Sequence, residues 1–187
     1  MKPAAEWDVI DGEMATVPGL FTGYVCILAA IPALASVVGG LLFAHWAIML
    51  VVIVAVMTYV AALLGVFIMA FIIDALAPSF GAQKNTVQAT KVVAYSYTAS
   101  WVAGILNIVP ALGIIAGLAG LYSLYLMYLG LPKLMKSPAD KTVGYFVVSI
   151  VCAILVNIVI GVVIGAVVAA ATMSALAAGG SALSGVH

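Results

Sequence analysis

Val143–Ala171 reads VGYFVVSIVCAILVNIVIGVVIGAVVAAA, an apolar run without one charged side chain. A hydrocarbon core of about 30 Å needs about 20 helical residues at about 1.5 Å each, so this run is long enough to cross a bilayer. The rest of the chain agrees with it: hydrophobic types make up 67% and charged types 6%, against about 25% charged in an ordinary soluble domain. A soluble fold of this length lacks the interior to hide so much apolar surface, so lipid must be the solvent. Six basic residues, all lysine, balance six acids, which leaves no field to attract nucleic acid.

Working outward from that run, uncharged stretches of spanning length predict five transmembrane helices: Gly19 to Phe43, Trp46 to Ile73, Val92 to Val109, Leu112 to Leu131, and Val143 to Ala171. The fold class is therefore all-α, a polytopic helical bundle in the membrane. The third span carries Tyr95, Ser96, Tyr97, Thr98, Ser100 and Asn107, so one of its sides is expected to lie against protein or water rather than lipid.

Basic residues in short loops are retained on the cytoplasmic side. With five spans, Lys2, Lys84, Lys91, Lys133, Lys136 and Lys141 all fall on one side, which predicts a cytoplasmic N-terminus and a periplasmic C-terminus. The organisation that follows is a cytoplasmic segment with a short interfacial helix over residues 1–18, a five-span membrane domain over 19–171, and a flexible Gly/Ser/Ala-rich periplasmic tail over 172–187. The acidic start (Glu6, Asp8, Asp11, Glu13) and the length of the first apolar run argue against a cleaved signal peptide.

Small residues let membrane helices approach closely. The fifth span carries Ser149, Ala153, Asn157, Gly161 and Gly165 every four residues; the fourth carries Gly113, Gly117 and Gly120; the third carries Ser96, Ser100, Gly104 and Asn107. These stripes are expected to face one another in the bundle centre as a packing core or a polar path, with Asn107 and Asn157 hydrogen bonding across helices. Tyr122, deep in the fourth span, needs an internal partner such as Asn157 or Ser149.

Chemistry-bearing groups are otherwise sparse. Asp74 closes the second span at the cytoplasmic interface, where Lys84 or Lys91 is its expected partner. Cys26 and Cys152 lie in apolar runs and read as small buried hydrophobes. His45 stands alone in a loop, without a second metal ligand beside it. There is no nucleophile–base grouping, no HExxH, no phosphate-binding loop and no arginine, so neither an enzyme nor a cofactor is expected.

Glu6–Met14 places Trp7, Ile10 and Met14 on one helical face and acids on another, including Glu13. Its net negative charge disfavours anionic headgroups, which makes the basic fourth loop, with Lys133 and Lys136, its better partner.

The strings WDVIDGE (7–13), YVCILAAIP (24–32), LAPSFG (76–81), AYSYTASWVAG (94–104) and, most specifically, GLYSLYLMYLGLPKLMKSP (120–138) together resemble the bacterial branch of the Yip family of Ypt-interacting membrane proteins. The resemblance implies a five-span protein with a cytoplasmic N-terminus. Ala99 stands where that family often has a proline, so a kink in the third span is not carried over. Eukaryotic relatives are associated with Rab-type GTPases, but only about 18 residues precede the first span here, and a GTPase-binding role is not implied.

The expected function is that of a non-enzymatic protein of a bacterial inner membrane, acting by helix packing with itself, as a homo-oligomer, or with a membrane-protein partner. The alternative is a small channel or transporter with a polar path between the third and fifth spans.

Overall fold

The computed structural model describes residues 3–42 and 48–184. His45 lies outside the described residues. Among those described, every regular element is helical. The elements are α1 (Pro3–Gly12), α2 (Val17–Leu20), α3 (Cys26–Leu42), α4 (Ile48–Leu76), α5 (Thr86–Ala103), α6 (Gly113–Leu134) and α7 (Ala139–Ser184).

Thr16 starts α2 from an extended backbone, its side chain accepting from the Gly19 N–H at 3.2 Å, and Pro18 sits in the first turn. A π-helical turn, Phe21–Val25, joins α2 to α3. Asn85 caps α5, its Oδ1 accepting from the Val87 and Gln88 amides at 3.1 Å each. Between α4 and α5 the chain turns through a 3-10 segment, Ala77–Phe80, and Gly81 at φ 67°, a backbone conformation that a β-carbon would strain.

Four helical stretches are long and apolar enough to cross a membrane: Val17–Leu42, Ile48–Phe80, Gly113–Leu134 and Ala139–Ser174. α5, which covers the polar run expected to be the third span, is not among these four; it is the most buried of the helices, with Thr90, Lys91, Val92, Val93, Ala94 and Ser96 all enclosed. Its α-helix begins at Thr86, earlier than Val92, and gives way at Gly104 to a 3-10 turn, Gly104–Ile108. The handover brings α5 onto α3. A β-carbon at Gly104 would fall 2.6 Å from Pro32, and one at Gly39 would fall 2.6 Å from the Asn107 carbonyl oxygen.

Burial is polarised along the bundle. Val25, Val66, Met69, Ile73, Met127, Leu131, Met135 and Tyr145 form one core near the lysine-bearing loops. Toward the other end α7 stands clear, with Ile154, Leu155, Ile158, Val159, Val162 and Val163 exposed. α7 continues past Ala171 to Ser184, into the stretch expected to form a tail. The alanines over 171–178 favour helix strongly enough to extend it through a stretch whose glycines and serines suggested coil.

Candidate functional site

The polar groups gather at the lysine end, where α1 lies against α5 and α6. Trp7 and Ile10 turn inward, and Trp7 is 2% exposed. Trp7 belongs to the core. It fits because residue 130 is glycine: a β-carbon there would sit 2.9 Å from the indole. Met14 leaves that face and is fully exposed, because α1 ends at Gly12 and the helical period ends with it.

Asp8 and Asp11, three residues apart on α1, meet Lys133 and Lys136, three apart at the end of α6. Lys133 Nζ lies 2.6 Å from Asp8 Oδ1, and Lys136 bonds Asp11 Oδ2. The acidic segment thus finds the basic fourth loop, as its charge suggests.

The far end of α1 is held from α5. Gln88 donates to the Asp11 carbonyl and side chain at 3.3 and 3.1 Å. Lys91 donates to the Ile10 and Glu13 carbonyls at 2.8 and 2.6 Å, and the Tyr95 hydroxyl reaches Glu13 Oε2 at 3.4 Å. The last carbonyls of a helix lack intrahelical donors and carry its negative dipole end, so an ammonium is the fitting partner. Sequence reasoning missed this clasp. The signal was present in Gln88, Lys91 and Tyr95, which share one face of a helix at spacings of three and four.

Asp74 is buried, but it pairs with neither Lys84 nor Lys91. Its Oδ2 accepts from Thr86 Oγ1 at 2.9 Å, and its Oδ1 has no bonded partner among the described residues. Lys91 is unavailable because α1 occupies it. Nearby, Phe80 stacks on Tyr145 with centroids 5.1 Å apart, and the Tyr145 hydroxyl donates to the Ile73 carbonyl. The Gln83 amide bonds the Met135 carbonyl at 2.8 Å, tying the two lysine-bearing loops together.

The expected central stripe does not assemble. Ser149 and Asn157 return their donors to Tyr145 and Ala153, each one turn back on α7, at 2.8 Å, the usual local solution for such side chains within a helix. Asn107 is exposed in the 3-10 turn and makes no bond to Asn157. Ser96 is enclosed without a bonded partner among the described residues. Tyr122 neighbours Tyr125 on its own helix, with centroids 6.0 Å apart, rather than Ser149 or Asn157. It lines a cavity of about 450 Å³ beneath Trp7, together with Tyr24, Tyr95 and Thr98.

Of the residues in the expected stripe, Ser100 is the one that bonds across helices among the described residues, and its partner is Ser123, which the spacing argument overlooked. Their hydroxyls are 2.8 Å apart, and the Ser100 amide donates to Ser123 at 3.2 Å. Ser100, Ser123, Tyr97 and Asn157 line one side groove of about 640 Å³ between α5, α6 and α7. A smaller one, about 250 Å³, lies on the α4 side of Asn157, next to Thr58 and Gly65. Gly113, Gly117, Gly161 and Gly165 are exposed, and they and Gly120 have open space where a β-carbon would stand. These glycines face outward and do not pack the bundle.

Among the described residues, no group of three or more His, Cys, Asp or Glu side chains could hold a metal ion. No curated protein and no solved structure is found to match the chain. Residues 1–161, which contain α1, the π-turn, the Asp74 loop and the whole of α5 and α6, match the family described as the Yip1 domain, and the chain accordingly belongs to the Yip family of membrane proteins.

Proposed function

We propose that this protein is a non-enzymatic scaffold of a bacterial inner membrane, a five-span bundle with its lysine end in the cytoplasm, which assembles through the outer half of α7. The carrying observation is the exposed face formed by Asn157, Gly161 and Gly165, one helical turn apart and free of neighbours at both glycines. In hydrocarbon, small residues permit close helix approach and an asparagine amide gains from a cross-helix bond. With 46 residues, α7 is about 69 Å long, more than twice the hydrocarbon thickness.

As the third of five spans, α5 supplies 18 residues and its 3-10 extension 5 more, about 27 and about 10 Å of rise. That is enough to cross, and its low hydropathy is tolerable because its polar side is enclosed by α3, α4 and α6. Its inclusion leaves every lysine on one side, in keeping with the basic-residue rule.

The test is the mass of the purified particle in nanodiscs, with crosslinking in membranes. An oligomer or a reproducible partner, lost in Asn157→Leu and Gly161→Leu, supports the scaffold; a monomer without crosslinks overturns it. The transport reading draws on the groove lined by Ser100, Ser123 and Asn157. Solute flux in reconstituted vesicles, abolished by Asn157→Leu, would favour it, and sealed vesicles would count against it.

A further inference from the structure

A cavity of about 900 Å³ at the lysine end lies between the end of α1, the α2–π-turn segment and the first turns of α5. Such a volume is within the range of small-molecule sites. One wall is the π-turn. A π-turn inserts an extra residue into a helix and is frequent at functional sites; here the turn carries Tyr24, which bonds Thr98 at 2.6 Å and meets the Tyr95 ring edge-on at 4.8 Å. Gly23, in the same turn, lines the cavity and has nothing within 4 Å of where its β-carbon would be.

The lining has two characters. Leu20, Gly19, Gly23, Met14 and Val87 form apolar or small walls, while Glu13, Thr16 and Asn85 offer polar groups. Lys91 also borders the space, but it is 1% exposed and two of its donors are already bonded to carbonyls. The accessible charge is therefore the Glu13 carboxylate, at an exposed residue. Two neutral donors remain beside it. Asn85 uses its oxygen to cap α5, which leaves its NH₂ free to donate, and Thr16 uses its oxygen to accept from Gly19, which leaves its hydroxyl proton.

We propose that this cavity binds the headgroup of an amine-bearing zwitterionic phospholipid, its primary ammonium on Glu13, its phosphate on Asn85 and Thr16, and its glycerol along Leu20 and the Gly19–Gly23 wall. A single carboxylate beside neutral donors matches an ammonium tethered to a phosphate. A purely anionic headgroup finds no free cation here, and a trimethylammonium lacks the N–H groups that make a charge-assisted hydrogen bond.

The experiment is lipid binding to the full-length protein in detergent, read by native mass spectrometry and thermal unfolding, with phosphatidylethanolamine, phosphatidylcholine and phosphatidylglycerol of identical acyl chains. Phosphatidylethanolamine is expected to bind about fivefold or more tighter than either of the others, a modest discrimination for one charged contact. Glu13→Gln should erase the preference over phosphatidylcholine. Gly23→Leu, which fills open space and leaves every bond in place, should weaken phosphatidylethanolamine binding while the lipid-free unfolding temperature stays the same. Equal binding of phosphatidylethanolamine and phosphatidylcholine, a preference for phosphatidylglycerol, or an undiminished preference in Glu13→Gln would each overturn the proposal. None of these readouts depends on oligomeric state.

Discussion

Lys91 and Glu13 are joined through backbone rather than through charge: the ammonium of Lys91 donates to the Glu13 carbonyl at 2.6 Å, and the Glu13 carboxylate turns instead toward Tyr95. The same ammonium bonds the Ile10 carbonyl, so one buried lysine closes the open end of α1. A buried charge is tolerable only when its donors are satisfied. The arrangement makes α1 and α5 dependent on each other.

Lys91→Met keeps the apolar stem and removes the donors, leaving the Glu13 carbonyl without its partner and the Ile10 carbonyl with the Glu13 amide alone. Losing a charge-assisted hydrogen bond costs about 1.5–3 kcal/mol, so a fall in unfolding temperature and faster proteolysis within residues 3–14 are expected. Unchanged thermal stability and protease resistance would refute the clasp.

The Asp8–Lys133 and Asp11–Lys136 pairs are largely solvent-accessible, with side-chain exposures of 59%, 44%, 29% and 46% in that order. Pairs of this kind contribute about 0–1 kcal/mol and are screened by salt. Asp8→Lys should loosen α1 at low ionic strength, and the swap Asp8→Lys with Lys133→Asp should restore it, as read by spin-label distances between α1 and α6. Identical distances in the single and double variants would show that the pairs do not position α1.

Gly130→Val places a β-branched side chain where the Trp7 indole lies, 2.9 Å from the new β-carbon. Overpacking of this kind typically costs about 1–3 kcal/mol. Trp7 is expected to leave its socket, giving red-shifted emission in a variant whose other two tryptophans are replaced by phenylalanine. An unshifted spectrum would mean the socket is wider than the contact distances indicate.

Gly161→Leu enters open space on α7. The folded monomer should keep its unfolding free energy within about 0.5 kcal/mol, the usual range for a surface change, while any assembly through that face should be lost. A marked fall in monomer stability would instead mean that Gly161 packs inside the bundle.

Labelling of single cysteines replacing Lys84 and Lys136 is expected to find both from the same side of the membrane, as five spans require. Reactivity from opposite sides would remove α5 as a span.

Much of this was legible in the residues. The uncharged runs marked α3, α4, α6 and α7 as membrane helices because hydrocarbon imposes length and apolarity on each segment separately. The acidic α1 was matched to Lys133 and Lys136 by charge alone, and the string GLYSLYLMYLGLPKLMKSP, which carried the family resemblance, contains Ser123, Gly130, Lys133 and Lys136, four residues that position α1 or bond α5. What a helix does with its small and polar residues was another matter. A period of four shows that Ser149, Asn157, Gly161 and Gly165 share a face but not what that face meets, and Ser149 and Asn157 could each bond one turn back along α7. Only the tertiary structure decided that Lys91 serves α1 rather than Asp74, that Ser100 finds Ser123, and that Gly113, Gly117, Gly161 and Gly165 look outward. The medium a segment requires is a property of that segment, whereas the partner of a polar atom depends on how neighbouring helices are rotated and how deep each one sits.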